Sequence, residues 1–400
     1  MLIGRPTFCG KFQKLLLRIC WSSQRRGYVN VYMKWKQDRY FDSLEHIHSS
    51  LELKRIVSLK NFIVRSPNGC IPISDVSKRG LDFDVKIRVA AFLRQYPSIF
   101  EEFVGPKYHL PWFRLTQEAI RVDEEEKRVF RESEQELLLR LRKLILMSKE
   151  NVVPLKIIKG LLWYLGLPED LVDSTGEDVA LKSDGLFKVI ELEGGLKGLG
   201  VESKERVLSF FEENAIKRGE LEAVEFPLFP SKGMRLRKRI SQWLEGFQKL
   251  PYVSPYEDFS GLNPDSDVAE KRLVGFLHEL FCLFIDHSAQ RRKLLCLKKP
   301  FGLPQKMHKA FERHPHMFYL SFRKGTCTVI LKEAYRDESS IEKHPMLEVR
   351  KKYVELMCES QRMMRKRRSN LSSVPAYLDK QGQSETLHIE RNIQASRDET

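Results

Sequence analysis

The sequence predicts an α+β protein, predominantly α-helical, built from repeated helix-helix-hairpin units of winged-helix-like outline. Three observations carry that expectation. A chain of 400 residues, 42% of them hydrophobic, holds enough apolar surface for a sizeable core. Apolar residues recur at helical spacing, as at Ile240, Trp243, Phe247 and Leu250. One layout occurs three times: two helical segments, a strand opened near a Phe, a Gly turn and a return strand.

Before the first of these units the chain reads as an address. Residues 1–37 carry eight basic side chains and no acidic one, the first carboxylate being Asp38. Phe12, Leu15, Leu16 and Ile19 share a helical face, with Lys11, Lys14 and Arg18 beside or opposite it. This is the pattern of a mitochondrial transit peptide, expected over residues 1–27 with processing near Arg25, Arg26, Gly27 and Tyr28. A chloroplast address and a basic RNA-binding tail are the other readings of the same segment.

The first unit runs from Gly80 and Leu81 through Val89, Phe92 and Leu93 to a strand opening at Phe100. It turns near Gly105 and Pro106 and returns through Trp112 to Leu115. A second unit begins at Gly166, Leu167 and Pro168, enters a strand at Phe187 to Ile190, turns at Gly194 and Gly195, and returns more weakly. In the third, Phe301 to Pro304 leads to a helix bearing Met307, Ala310 and Phe311. A strand from Phe318 to Phe322, a turn at Lys324 and Gly325, and an alternating return from Cys327 to Leu331 complete it. Two helices and a two-stranded wing form a frame that often presents basic side chains to nucleic acid.

Between the second and third units, residues 231–250 form an amphipathic helix with a basic flank. Residues 251–258 read as an ordered loop, and Asp267 with Glu270 as a capping box for a helix through Phe276 and Leu280. Trp112, Trp163 and Trp243 sit in apolar contexts and are assigned to the core. From 358 onward a polar and basic tail, residues 358–400, is expected to be disordered.

Charge supplies the functional argument. The net charge is +15, which favours a polyanionic partner. It is also segregated: residues 169–223 hold fourteen acidic and seven basic side chains, whereas 286–313 and 350–368 each hold eight basic and two acidic. Phosphate neutralisation requires such collection of like charge. The candidate RNA-binding residues are therefore Lys232, Arg235, Arg237, Lys238, Arg239, Arg291, Arg292, Lys293, Lys298 and Lys299.

Catalytic signatures are absent: there is no phosphate-binding Gly-rich loop, no GxSxG and no HExxH. The seven cysteines are scattered without a CxxC pair, so neither a disulfide scaffold nor a zinc site is expected. No apolar run is long enough to span a membrane, and membrane insertion is not expected. Two competing readings stand beside RNA binding. One is a thiol hydrolase using Cys282 or Cys296, near His278 and His287; the other is an adaptor whose basic face meets acidic proteins.

Several blocks, taken in order, resemble the plant organelle RNA recognition family. They include Val57 to Asn61, Phe92 to Phe100, Trp112 to Thr116, Trp163 to Pro168, Leu250 to Tyr256, Ala269 to Arg272, Phe301 to Lys306 and Arg313 to Pro315. The resemblance spans residues 28–357, taken as the RNA-binding domain. The start from Tyr28 to Lys36 is most similar to the mitochondrial What's This Factor group. This resemblance implies a mitochondrial protein that binds organellar group II intron RNA and promotes its splicing, with other splicing factors in a ribonucleoprotein complex. The intron itself would be the ribozyme, so the resemblance implies no enzyme activity, no catalytic residues and no cofactor.

Overall fold

A computed structural model describes residues 37–77, 79–105, 110–172, 185–202, 206–219, 224–232, 234–336 and 341–372. The expected transit peptide lies outside the described residues. In chain order the helices are α1 (Arg39–Asp42), α2 (Glu45–His48), α3 (Ser50–Arg65), α4 (Ile73–Ser77), α5 (Val89–Leu93), α6 (Gln117–Leu146), α7 (Leu155–Leu165), α8 (Phe210–Arg218), α9 (Lys238–Gln248), α10 (Asp267–Leu283), α11 (Arg291–Leu294), α12 (Lys309–Arg313), α13 (Glu333–Arg336) and α14 (Pro345–Ser372). The strands are β1 (Cys70–Pro72), β2 (Phe100–Val104), β3 (Pro111–Leu115), β4 (Val152–Pro154), β5 (Lys188–Leu192), β6 (Leu196–Gly200), β7 (Ser288–Gln290), β8 (Phe318–Ser321) and β9 (Thr328–Leu331). The protein is α+β with a helical majority.

The strands form three small antiparallel sheets, ordered β1-β3-β2, β4-β6-β5 and β7-β9-β8. In each, the return strand of a hairpin lies at the centre. Its outer edge is covered by a three-residue strand that comes before the helices. Those short strands have no readable sequence period. Two of them end in proline, Pro72 and Pro154, which lacks the N–H a longer ladder would need.

The hairpin turns follow from backbone chemistry. Gly194 and Gly195 both take positive φ between β5 and β6, while Lys324 and Gly325 do so between β8 and β9. The weak sequence signal of β6 comes from Gly198 and Gly200. A Cβ on Gly200 would lie 2.3 Å from Ile190 Cδ1, so a side chain there would require Ile190 to shift.

The chain divides into two compact units. The smaller is drawn from residues 52–124 and 351–400, the larger from 1–51 and 125–350. In the smaller, Leu53, Ile56, Leu59 and Ile63 of α3 are buried at intervals of three and four, forming a core with Phe92, Ile99, Phe113 and Tyr353. Lys60 shares this interior, its Nζ 2.5 Å from Asp123 Oδ1, with both side chains almost wholly buried.

The larger unit is organised around α10, which is buried on nearly every side from Val268 to Leu283. Its Phe276 and Phe281 meet Phe301, Phe311 and Phe318 in edge-on and tilted ring contacts. The start of α10 differs from the expected capping box. Ser266 is the N-cap and its hydroxyl accepts from Ala269 N at 3.1 Å. Glu270 instead meets Arg313 Nε at 2.8 Å and His314 Nε2 at 3.0 Å, tying α10 to α12.

Of the three tryptophans assigned to the core, Trp163 is buried, while Trp112 and Trp243 are half-buried. The tail expected from 358 is helical as far as Ser372. Its remainder lies outside the described residues.

Candidate nucleic-acid interface

The basic segment at 232–239 stands at the end of an extended strap in the larger unit. Among the described residues the strap has no sheet partner, and side chains close several of its backbone groups. The Gln248 amide closes both sides of Phe226: its Nε2 donates to Phe226 O at 2.7 Å, and its Oε1 accepts from Phe226 N at 2.9 Å. Lys271 Nζ donates to three carbonyls, Val224 at 2.9 Å, Gln248 at 2.6 Å and Leu250 at 2.7 Å. Phe229 N donates to His316 O at 2.9 Å, and Lys332 Nζ donates to Phe229 O at 3.0 Å and Ser231 Oγ at 2.8 Å.

Both lysines are buried, and burial lowers each pKa to about 8. They are structural staples, although a sequence tally counts them as surface charge. For Lys271 the signal was readable: it lies three residues before Val274 and seven before His278, on a buried helical face.

Beyond Ser231 the strap carries its cations outward. Lys232, Arg235, Arg237, Lys238 and Arg239 are all exposed, and among the described residues none forms an ion pair. Helix α9 then turns Ile240, Leu244 and Phe247 inward. Trp243 closes the edge of this packing, with the Arg313 guanidinium 5.6 Å from its ring and the His314 ring 5.7 Å away. Arg237 is the N-cap and supplies no side-chain cap. Cations at the positive end of a helix dipole cost about 0.3–1 kcal/mol each, a penalty that an approaching phosphate reverses.

The second predicted cluster lies on α11 and the turns after it. Arg292, Lys293 and Lys299 are exposed, while Arg291 and Lys298 are half-buried. Leu294 and Leu297 are fully buried and fix this short segment to the core. Arg291 faces Glu312 at 3.6 Å, so its charge is partly offset. The third charge-rich stretch, 350–368, divides. Arg350 is buried, bonded to Asp286 Oδ2 at 2.8 Å and to the Trp163 carbonyl, and lies 4.1 Å over the Trp163 ring. It belongs to the core.

The thiol residues also take definite places. Cys282 Sγ lies 3.5 Å from His278 Nδ1, and His278 Nε2 lies 2.6 Å from Glu333 Oε2. A thiol, an imidazole and a carboxylate in line have the connectivity of a nucleophilic triad. Their setting opposes that chemistry. His278 is fully buried and stacked on Phe211 with ring centroids 3.8 Å apart. Burial, then the Glu279 and Glu333 carboxylates, push the Cys282 thiol well above its ordinary range, so it stays protonated.

A cavity of about 10 Å³ borders Glu333, Phe211 and Asn214, with room for one water molecule. Cys296 is exposed, and among the described residues it bonds to no histidine or carboxylate. Nor do the described residues contain three His, Cys, Asp or Glu side chains placed to hold a metal ion. No helix among them is long and apolar enough to cross a membrane.

Comparison with known proteins joins these features to a family. The model of the plant organelle RNA recognition domain matches residues 36–362. The chain is 58% identical over 354 residues to Protein WHAT'S THIS FACTOR 9, mitochondrial, of Arabidopsis thaliana, covering 87% of this chain and 90% of that one. It is 30% identical to Protein WHAT'S THIS FACTOR 1, chloroplastic, of Zea mays, over 80% of this chain and 66% of the maize protein. Protein ROOT PRIMORDIUM DEFECTIVE 1 of Arabidopsis thaliana is 29% identical over 82% of this chain and 84% of its own length. No solved structure matches. The relation to the first of these relatives assigns the chain to the mitochondrion. With 327 consecutive positions matched by its family model, the chain belongs to the plant organelle RNA recognition family.

Proposed function

We propose that the protein binds group II intron RNA in the mitochondrion and promotes its splicing without catalysing a step itself. The observation that carries this reading is the strap. Five exposed cations, Lys232, Arg235, Arg237, Lys238 and Arg239, stand without carboxylate partners among the described residues at the end of a segment pinned by buried lysines. Pinning matters because a phosphate contact gains most when the side chains need not be ordered on binding. Arg292, Lys293, Lys298 and Lys299 extend the basic character along the third helix-hairpin segment. Contacts of this kind neutralise phosphates where intron helices crowd together, and A-form grooves offer little direct base readout.

The three sheets with one strand order support a common module, a winged-helix-like unit used three times. Residues 1–27 act as the transit peptide in this reading, and other splicing factors join the protein in a ribonucleoprotein complex. The half-buried Cys282, its thiol held protonated, weighs against the thiol-hydrolase alternative.

Crosslinking in isolated mitochondria, followed by sequencing of the RNA bound to the protein, tests the proposal. Enrichment of intron sequences over exons is the expected outcome. Recovery of no RNA, with acidic proteins in its place, would support the adaptor reading and overturn this one.

A further inference from the structure

We infer that the last turns of α14, residues 362–368 in the smaller unit, form a second RNA contact that grips the phosphates of a duplex. This inference rests on the RNA-binding reading and places a contact outside the strap. The helix begins its run through the smaller unit as a core element: Tyr353 and Met357 are buried, and Ser360 is fully buried, accepting from Ser98 N at 3.1 Å. Beyond Ser360 the environment changes. Gln361 to Asn370 are exposed apart from Met364, which is half-buried. From Gln361 to Asn370 the helix lacks the buried apolar face that held its earlier turns.

Five of those residues are basic, Arg362, Arg365, Lys366, Arg367 and Arg368, and no acidic residue occurs from 361 to 372. Among the described residues none of the five forms an ion pair. At about 100° per residue, Arg368, Arg365, Arg362 and Lys366 fall within an arc of about 160°. Like charges spaced three and four apart cost a helix roughly 0.2–0.5 kcal/mol per pair. The C-terminal dipole recovers part of that cost. A dense row of phosphates removes the rest, because it supplies counter-charge along the whole face.

Duplex RNA is favoured over an anionic membrane by what the segment lacks. An interfacial helix requires a broad apolar face, and here only Met363 and Met364 are apolar between 361 and 370. It also has no aromatic side chain on which an unpaired base would stack, which favours backbone contact with paired RNA.

The test compares three full-length proteins by fluorescence anisotropy on a generic RNA duplex across a salt series. They are the parent, R362Q/R365Q/K366Q, and R121Q/R128Q/R131Q, which removes equal charge from exposed positions of α6. Far-UV circular dichroism and thermal midpoints check that all three are folded. The expected result is a loss of about tenfold or more for the α14 variant, with its log-log salt slope shallower by about 2–3, and less than twofold change for the α6 variant. Equal losses in the two variants, or none in the α14 variant, would overturn the inference while leaving the strap reading intact. A parent that binds no RNA would overturn both. Retained RNA affinity with lost binding to phosphatidylglycerol vesicles would assign the segment to a membrane surface and overturn it too.

Discussion

Replacing Lys271 with methionine removes the staple that joins the strap to α10 while keeping the side-chain volume. Three carbonyls lose a charged donor at 2.6–2.9 Å. At about 1.5–3 kcal/mol for each such bond, the gross loss is roughly 5–9 kcal/mol. Burial of the ammonium opposes it. Its pKa falls from 10.5 to about 8, which corresponds to roughly 3 kcal/mol of desolvation cost that the methionine does not incur. The net destabilisation at neutral pH is then about 2–6 kcal/mol, measured by urea unfolding of the two proteins.

The pH dependence is specific to this account. Between pH 8 and 10.5 the unfolded chain binds the Lys271 proton more readily than the folded one, so stability from this residue rises with pH. It is fully present above the unfolded value and lost as pH falls through about 8. The gap between parent and K271M should therefore widen, by roughly 2–3 kcal/mol, from pH 8 to 10. A gap below 1 kcal/mol would refute the staple, and one independent of pH would refute the lowered pKa.

The same reasoning reaches other buried groups. Lys60→Met leaves the buried Asp123 without its lysine and should cost about 3–5 kcal/mol in urea unfolding, against under 1 kcal/mol if the pair were only ornamental. A maleimide reagent should label the exposed Cys296 in the native chain far faster than the half-buried Cys282, whose thiol is held protonated, as read by peptide mass spectrometry; equal native labelling of the two would contradict that setting. Burial lowers the His287 pKa to about 4, its Nδ1 lying 3.0 Å from the Phe281 carbonyl and its Nε2 unbonded. Because that pKa lies below the unfolded value of 6.5, its contribution of roughly 3 kcal/mol is present above pH 6.5 and is lost as pH falls towards 4. An imidazole that titrates near 6.5 by NMR would rule this out.

The turns between β5 and β6 and between β8 and β9 were legible in the sequence because they carry their chemistry locally: glycine at positive φ, flanked by apolar residues. Their covering strands were not, since three residues such as Cys70 to Pro72 have no period. The cap of α10 was misplaced by one residue because Asp267 and Ser266 are equally good oxygen acceptors, and only the backbone decides between them. Charge was the least reliable guide. Lys60, Lys271, Lys332 and Arg350 look like surface cations in a tally, yet each is buried against a carboxylate, a hydroxyl or backbone carbonyls. The basic residues at 232–239 are exposed, but the strap that presents them depends on Gln248 and Lys332, distant in sequence.

The most direct test of the central claim is the salt dependence of intron RNA binding by the full-length protein and by R235E/R237E/K238E/R239E. If the strap holds the phosphates, the parent shows a steep log-log slope and the variant loses at least about 3 from it, with affinity down more than about a hundredfold near physiological salt. A folded variant with the parent's slope and affinity would show that RNA, if bound, is held elsewhere, and would contradict the account.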